Sequence, residues 1–254
     1  MIHLKTQHEI EILRECNLIV YEILCMLKNN CQAGMTTLEL DKIAEDLTRK
    51  KKGKPAFKGY NGFPATLCIS VNEEVVHGIP SKRVLREGDI VSIDYGVIYR
   101  GYYGDAATTI PVGAISEDLK LLLKITEECL MLGICQARPG NHLADISAAI
   151  QIHAETHGFS LVKEYSGHGV GRSLHEEPVV LNYVANGRGI VLKPGLVLAI
   201  EPMVNQGTDK VEVLKDGWTV VTKDRKCSAH FEHSVAITED GPVILSLPEG
   251  EARI

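Results

Sequence analysis

Leu85-Arg86-Glu87-Gly88-Asp89-Ile90-Val91-Ser92-Ile93-Asp94 is the stretch that decides the fold, because Leu192-Lys193-Pro194-Gly195-Leu196-Val197-Leu198-Ala199-Ile200-Glu201 repeats its pattern. Each stretch passes a glycine, continues as an apolar run and ends in a carboxylate. A carboxylate inside an apolar run is costly unless a partner compensates its charge. The pair of stretches therefore predicts two related halves that share one cation site.

The same repeat extends into the helices. A shift of 106 residues places Leu13 on Leu119 and Gly34 on Gly140, and a shift of 107 places Asp94 on Glu201. Chance similarity between amphipathic helices would not carry its register into a strand, so the match indicates an internal duplication. We expect one domain over residues 1–254, with the boundary between the pseudo-repeats near 110–116, because no linker-like segment divides the chain.

Helix start signals open both halves. Thr6 with Glu9, and Thr36 with Glu39, have capping-box spacing before apolar-periodic stretches. Ser116 begins a third predicted helix, and a fourth follows Pro139-Gly140-Asn141 and ends near His157. Strands are predicted over Ile90 to Ile98, Leu192 to Ile200, Val235 to Ile237 and Val243 to Leu245. The fold class is α+β, with helices packed on a curved, mostly antiparallel sheet.

Composition narrows the function classes. The chain has 254 residues, a net charge of −6 and a pI near 5.9, which give no general attraction to nucleic acid or to anionic membranes. The basic run over residues 49–54 is interpreted as a solvated helix C-terminus, with a contact to ribosomal RNA as the alternative. The N-terminal residues lack the apolar region of a signal peptide, so we expect a cytoplasmic protein.

The number and spacing of the cysteines argue against a disulfide framework and against a zinc finger. The seven cysteines are an odd number and include no Cys-x-x-Cys pair. Neither a disulfide framework nor a zinc finger is therefore indicated.

A two-residue turn predicts how the first carboxylate pair is arranged. Arg100-Gly101 fits a tight hairpin in which Tyr99 pairs with Tyr102. That register places Asp94 and Asp105 on one face as diagonal neighbours, about 7 to 8 Å apart. Two buried carboxylates this close require a shared proton or a cation.

The second half contributes a matching carboxylate pair, Glu201 and Glu232, and a histidine, His168, flanked by glycines that permit close approach of a ligand. Oxygen-rich ligation with one imidazole suits Mn(II), Fe(II) or Co(II) more than a structural zinc. The segment 167–171 lacks the spacing of a nucleotide-binding loop, and no serine or cysteine lies in a nucleophile elbow. A metal-activated water is therefore the predicted nucleophile.

These residues, in this order, resemble the type I methionine aminopeptidases of metallopeptidase family M24, over nearly the whole chain. The resemblance is carried by ordered blocks, including Val76-His77-Gly78-Ile79-Pro80, Gly167-His168-Gly169-Val170-Gly171-Arg172, His175-Glu176-Glu177-Pro178 and Lys215-Asp216-Gly217-Trp218-Thr219. It implies the pita-bread fold with pseudo-twofold halves. The chain resembles the minimal, bacterial-style form of the family.

The resemblance also implies a two-metal centre. By this resemblance, Asp94 would hold one ion, His168 and Glu201 would hold the other, and Asp105 and Glu232 would bridge both; the ions would be divalent Co, Mn, Fe or Zn. The implied nucleophile is a metal-bridging hydroxide that would attack the scissile carbonyl. The catalytic side chains implied are His77 near the leaving nitrogen, His175 donating to the carbonyl oxygen, and Glu201 as a proton relay.

The implied substrate is the initiator methionine of nascent polypeptides whose second residue is small. Leu174 departs from the phenylalanine found in some relatives, which affects the shape of the methionine pocket. The expected partners are nascent N-termini and the ribosome exit region, with no specific nucleic acid and no membrane, and the protein is expected to be a monomer. The substrate-binding residues implied are Tyr60, Phe63, Cys68, His77, Leu174, His175 and Trp218.

Two other readings remain. Proline-specific aminopeptidases and dipeptidases share the fold and much of the metal set, but the blocks around Cys68 and Trp218 fit the methionine enzymes better. A non-catalytic binding protein that kept only the fold is the other alternative. The complete set of five ligand positions argues against it.

Overall fold

The computed structural model describes residues 2–252 and contains the four predicted helices. Their capping signals act as predicted: the Thr6 hydroxyl accepts from the Glu9 backbone N–H, and the Thr36 hydroxyl accepts from that of Glu39. Such caps stabilise a helix by about 1 kcal/mol each. The helices are α1 (Gln7–Asn30), α2 (Thr37–Lys50), α3 (Glu117–Gln136) and α4 (Leu143–Thr156).

The strands are mostly short, apart from one long hairpin. They are β1 (Lys54–Pro55), β2 (Leu67–Val71), β3 (Glu74–Val76), β4 (Ile90–Tyr99), β5 (Tyr102–Pro111), β6 (Ser160–Leu161), β7 (Gly167–Gly169), β8 (Glu176–Val180), β9 (Val197–Ile200), β10 (Met203–Asn205), β11 (Val211–Val213), β12 (Val220–Thr222), β13 (Ser228–His230), β14 (Glu232–Thr238) and β15 (Gly241–Ile244). A short 3-10 turn spans Tyr60–Gly62.

One nine-stranded antiparallel sheet organises the fold. Its order is β1-β4-β5-β14-β9-β7-β8, with β2 added beside β4 and β15 beside β14. Two three-stranded sheets, β13-β10-β6 and β11-β12-β3, complete the architecture. The predicted α+β class, with helices on a curved, mostly antiparallel sheet, is confirmed.

The hairpin β4–β5 has the predicted register. Tyr99 pairs with Tyr102, and Asp94 lies opposite Ala107. Arg100 and Gly101 have φ values of 51° and 82°, as a two-residue turn with left-handed central residues requires. This turn fixes which side chains of both strands share a face.

The predicted strand over Leu192 to Ile200 is wrong in its first part, since β9 begins only at Val197. The Leu196 N–H donates to the Lys193 carbonyl, and Gly195 has φ of 93°, so residues 193–196 form a turn. Pro194 removes a backbone donor, and the glycine permits the left-handed conformation, so apolar neighbours do not extend the strand here.

The two halves repeat the same backbone connections between helix and turn. Gly34 N–H donates to Leu85 O at 2.9 Å, and Gly140 N–H donates to Leu192 O at 3.0 Å. These are the positions that the shifts of 106 and 107 residues bring together. Isolated bridges join the residues that follow, Thr36 to Val84 and His142 to Val191. Such agreement supports the proposed internal duplication.

Each half also has its own core. Helix α1 packs on the β4–β5 hairpin through fully buried Leu13 and Val20, and α3 with α4 pack on the second half around Ile125 and Ile150. Each such side chain contributes about 1.5 to 3 kcal/mol of burial free energy. Among the helices of residues 2–252, none has the length and apolar content needed to cross a bilayer.

Candidate metal centre and substrate pocket

Three predicted ligands lie on one face of the sheet, on the adjacent strands β4, β5 and β14. Ala107 on β5 pairs with Asp94 on one side and with Glu232 on the other, so these carboxylates flank a methyl group. Asp105 is two residues from Ala107 on the same strand and therefore shares its face. The small side chain of Ala107 leaves room in the middle of the cluster.

The second half brings the remaining ligands to the same face. His168 on β7 pairs with Ala199 on β9, and Glu201 follows two residues later, just after that strand ends. His168 Nε2 lies 3.5 Å from Glu201 Oε1 and 3.8 Å from Asp105 Oδ2. Ligand atoms of Asp105, His168 and Glu232 all lie within 4.8 Å of one another. A single cation can reach all three.

The cluster is buried, and its oxygens lack partners. Within the described residues, no hydrogen bond reaches Asp94 Oδ1, Asp105 Oδ1 or Glu232 Oε1. Burial raises the pKa of Asp94 to about 7 and raises the pKa values of Asp105 and Glu232 well above their usual range, with repulsion between the carboxylates adding to both of these. Buried, unpaired carboxylates beside an imidazole are the donor set that a divalent cation satisfies.

His230 also belongs to this centre, and it was not predicted from the sequence. Its Nε2 lies 3.3 Å from Glu201 Oε2, its side chain is almost completely buried, and no residue of the described chain hydrogen-bonds that nitrogen. His230 precedes Glu232 by two residues, so alternation along an extended segment was the signal that would have found it.

His175 lies at the rim of the carboxylate cluster. Its ring is 4.3 Å from that of His168, and its Nδ1 is 2.7 Å from the Tyr60 hydroxyl. Burial, followed by the nearby His168, lowers the pKa of His175 to about 4. Without bound metal, the ring is therefore neutral at pH 7.

His77 occupies a strained backbone position. Its φ is 60°, a left-handed value that is uncommon for a residue other than glycine. Its ring packs edge-on against Tyr165 at 5.4 Å and Trp218 at 6.4 Å, and burial lowers its pKa. A Cβ on the following Gly78 would lie 2.1 Å from the Ile69 carbonyl oxygen, so only glycine fits there. Such strain is typical of functional positions.

A cavity of about 290 Å³ joins the carboxylate cluster to an apolar cluster. The apolar cluster is built around Phe63, Cys68 and Leu174, with Phe63 edge-on to Trp218 at 5.2 Å. The cavity is also lined by Phe57, Val76, Tyr165 and Met203. These residues were not predicted from the sequence because they resemble ordinary core residues. The structure brings together every predicted site residue in its lining: Tyr60, Phe63, Cys68, His77, Asp94, Asp105, His168, Leu174, His175, Glu201, Trp218 and Glu232.

An enclosed set of carboxylates and histidines beside an apolar side-chain pocket is the kind of site found in metal-dependent hydrolases. The sequence model described as Metallopeptidase family M24 matches residues 11–239. Methionine aminopeptidase 1 of Bacillus subtilis is 54% identical to this chain, over 97% of this chain and 99% of that protein. Methionine aminopeptidase of Clostridium acetobutylicum is 51% identical, over 98% and 100%.

Solved structures agree with the sequence comparison. The methionine aminopeptidase from Thermotoga maritima has a TM-score of 0.96 and 46% identity, covering 98% of this chain and all of that chain. Prolidase from Pyrococcus furiosus has a TM-score of 0.80 and 26% identity, and the match covers 97% of this chain but 66% of that one. The present chain belongs to metallopeptidase family M24 and, within it, to the methionine aminopeptidases. The resemblance predicted from the sequence is confirmed.

Proposed function

We propose that this protein is a divalent-metal aminopeptidase that removes the N-terminal methionine of nascent polypeptides whose second residue is small. The observation that carries the proposal is a cavity in which buried, unpartnered carboxylates adjoin an apolar pocket. Family membership supports the use of a divalent metal.

Two ions fit the ligand set that we propose. Asp94 would hold one ion and His168 with Glu201 the other, while Asp105 and Glu232 would bridge them; Co, Mn, Fe and Zn are the candidate metals. When bound, such cations lower the pKa of a water molecule and polarise a carbonyl group. Burial of Asp105 and Glu232 supports this assignment because it keeps bulk water from competing for them.

His175 is proposed to stabilise the charge that develops on the scissile carbonyl oxygen. The Tyr60 hydroxyl lies 2.7 Å from its Nδ1, and if Tyr60 donates there, the neutral ring carries its hydrogen on Nε2. That N–H is then the donor available to the substrate. A donor already fixed before the reaction needs no reorganisation when the charge appears.

We propose that His77 lies near the leaving nitrogen and that Glu201 relays a proton to it. His77 is held by edge contacts with Tyr165 and Trp218 and is neutral at pH 7 because burial lowers its pKa. Glu201 lies within 3.5 Å of His168 and within 3.3 Å of His230, and it is proposed to relay a proton toward the amine product.

The apolar part of the cavity is proposed to bind the methionine side chain. Phe63, Trp218 and Tyr60 supply aromatic faces and edges, which suit a polarizable thioether. Burial raises the pKa of the Cys68 thiol well above its usual range, so this side chain stays protonated and acts as an apolar wall. Leu174 closes the pocket and is expected to influence selectivity.

The cellular setting follows the same proposal. We place the protein in the cytoplasm as a monomer that meets nascent N-termini, with residues 1–254 forming one domain of two duplicated halves. Arg49 and Lys50 occupy the last turn of α2, in agreement with a helix C-terminus. Contact of residues 49–54 with the ribosome exit region is the alternative, and co-sedimentation of a neutralised variant with ribosomes tests it.

The proposed function is tested with metal-stripped protein reloaded in turn with Mn(II), Fe(II), Co(II) and Zn(II). Each preparation is incubated with peptides that begin with Met-Ala, Met-Lys or Ala-Pro, and the products are identified by mass spectrometry. Release of methionine from Met-Ala alone is the expected result. Cleavage of the Ala-Pro peptide would assign the chain to the proline-specific enzymes. Absence of cleavage with every metal would favour a non-catalytic binding protein.

A further inference from the structure

The N-terminal segment lies against the turn that carries His175. The Lys5 ammonium group is 2.5 Å from Glu176 Oε2, and the two side chains are only 6% and 15% exposed. The other oxygen of Glu176 accepts from the backbone N–H groups of Arg172 and Ser173 at 2.8 and 3.2 Å. Glu176 therefore connects Lys5 to the backbone of residues 172–176, which we call the His175 turn.

A second ion pair of opposite polarity joins the same two segments. The Arg172 guanidinium donates to Glu9 Oε1 at 3.2 Å and lies over the Tyr102 ring, 4.6 Å from its centroid. The Tyr102 hydroxyl donates to the same Glu9 oxygen at 2.8 Å. Lys5 and Glu9 thus hold the two ends of the turn from one side.

The backbone around Lys5 is also fixed at close range. The Lys5 N–H donates to the Gly195 carbonyl at 2.6 Å. A Cβ added at Gly195 would lie 2.9 Å from the Lys5 carbonyl oxygen, and one added at Gly171 would lie 2.6 Å from Lys5 Cε. Both glycines therefore make room for this segment, which places the ammonium group where Glu176 needs it.

We propose that Lys5 is a positioning residue that, through Glu176, sets the placement of Leu174 and His175 in the substrate cavity. The inference deepens the proposed function and rests on it. Lys5 touches neither the substrate pocket nor the carboxylate cluster. Without its ammonium group, Glu176 is left half-buried with no cation beside it and the His175 turn loses its tether.

The test compares Lys5→Met, which keeps the length of the side chain without its charge, with Lys5→Arg, which keeps the charge. Lys120→Met is the matched control, because Lys120 forms an exposed ion pair with Glu117 and does not line the cavity. Full-length, metal-loaded proteins of equal metal content are assayed on a Met-Ala peptide for kcat and KM separately. Hydrogen exchange of the backbone amides of residues 172–176 is measured in parallel.

We expect Lys5→Met to lower kcat/KM about 10- to 100-fold, because small displacements of catalytic groups have effects of this size. Both parameters should change: kcat falls because His175 moves, and KM rises because Leu174 moves. Exchange should accelerate in 172–176, whereas Lys5→Arg and Lys120→Met stay within about threefold of the unmodified protein in rate.

Three results would overturn the proposal. The first is a Lys5→Met protein with unchanged kinetics and exchange. The second is a fall in kcat at constant KM with exchange raised throughout the chain, which marks a merely structural loss of active molecules. The third is failure of Lys5→Arg to restore the rate. If the unmodified protein releases no methionine, the proposed function fails, while the exchange data still report on the tether.

Discussion

The first half of the chain brings Asp94 and Asp105 to the centre on a single hairpin of two ten-residue strands, whereas the second half brings His168, Glu201 and Glu232 on or beside three shorter strands. One two-residue turn fixes the relative position of the first pair. The second set depends on pairings between residues that lie 29 to 39 positions apart in the chain.

The comparison shows that local sequence fixes the position of the first pair of side chains, whereas long-range strand pairing fixes the second set. Hairpin register is decided by the turn and by alternation, both of which lie within a few residues. The second half has the same helix connections as the first but assembles its ligands only when β7, β9 and β14 have joined the sheet. The set of metal ligands that we propose therefore requires both halves of the chain.

The largest expected effect is loss of a ligand from the first half. Asp105→Asn should leave methionine release below detection and lower metal content, because even outer-shell partners of a metal contribute about 10- to 100-fold. Metal analysis and a Met-Ala assay measure the two effects. Asp240→Asn, at an exposed position, is the control and should match the unmodified protein. Full activity of Asp105→Asn would exclude this residue as a ligand.

His175→Ala is expected to have the next largest effect, and on turnover only. Removing a donor that stabilises a developing oxyanion typically lowers kcat about 100- to 1,000-fold. His175 is not among the proposed ligands, so metal content should be unchanged. Steady-state kinetics with metal analysis of the same sample provide the check, and a normal rate at normal metal content would refute the assignment.

Alanine substitutions at two equivalent glycines compare the stability of equivalent turns in the two halves. Gly88 and Gly195 have φ values of 92° and 93° in matching turns. Gly88→Ala should destabilise the protein by about 1 to 2 kcal/mol through its left-handed backbone alone. Gly195→Ala should destabilise it further, because the new Cβ would meet the Lys5 carbonyl oxygen at 2.9 Å. Thermal unfolding measures both, and equal shifts would contradict the close packing of the N-terminal segment.

Metal-free protein should become less stable as pH rises above 7. Burial raises the pKa of Asp94 to about 7 and those of Asp105 and Glu232 well above their usual range, so the folded state binds protons that the unfolded state releases. The contribution of Asp94 is complete below the unfolded value near 4 and is lost as pH rises through about 7, and Asp105 and Glu232 extend the loss to higher pH. His77 and His175 have the opposite dependence below pH 7 because burial lowers their pKa values, but above pH 7 they are neutral in both states. Scanning calorimetry from pH 7 to pH 9 should therefore show a falling transition temperature, with metal restoring more stability at pH 9. A metal-free protein that is more stable at pH 9 than at pH 7 would contradict the raised pKa values.

Much of the fold follows from local signals. Capping residues such as Thr6 and Thr36 identified helix starts, and the turn at Arg100 identified the register that places Asp94 and Asp105 together. The error at Leu192 arose because apolar periodicity outweighed the turn signal of Pro194-Gly195.

Residue spacing alone predicted only part of the site. Its second-half ligands came together through long-range pairing, and their roles were assigned through the family resemblance. His230 was missed although it alternates with Glu232. The contact of Lys5 with Glu176 spans 171 residues, and no local pattern encodes an ion pair of that kind.

The most direct test of a centre shared by both halves is metal stoichiometry, measured by titrating metal-free protein with Co(II) and following its visible absorption. The unmodified protein is expected to bind two ions per chain, whereas Asp105→Asn from the first half and Glu232→Gln from the second should each lose binding and change the spectrum in the same way. Unchanged stoichiometry and spectrum in either variant would contradict a centre built jointly by the two halves.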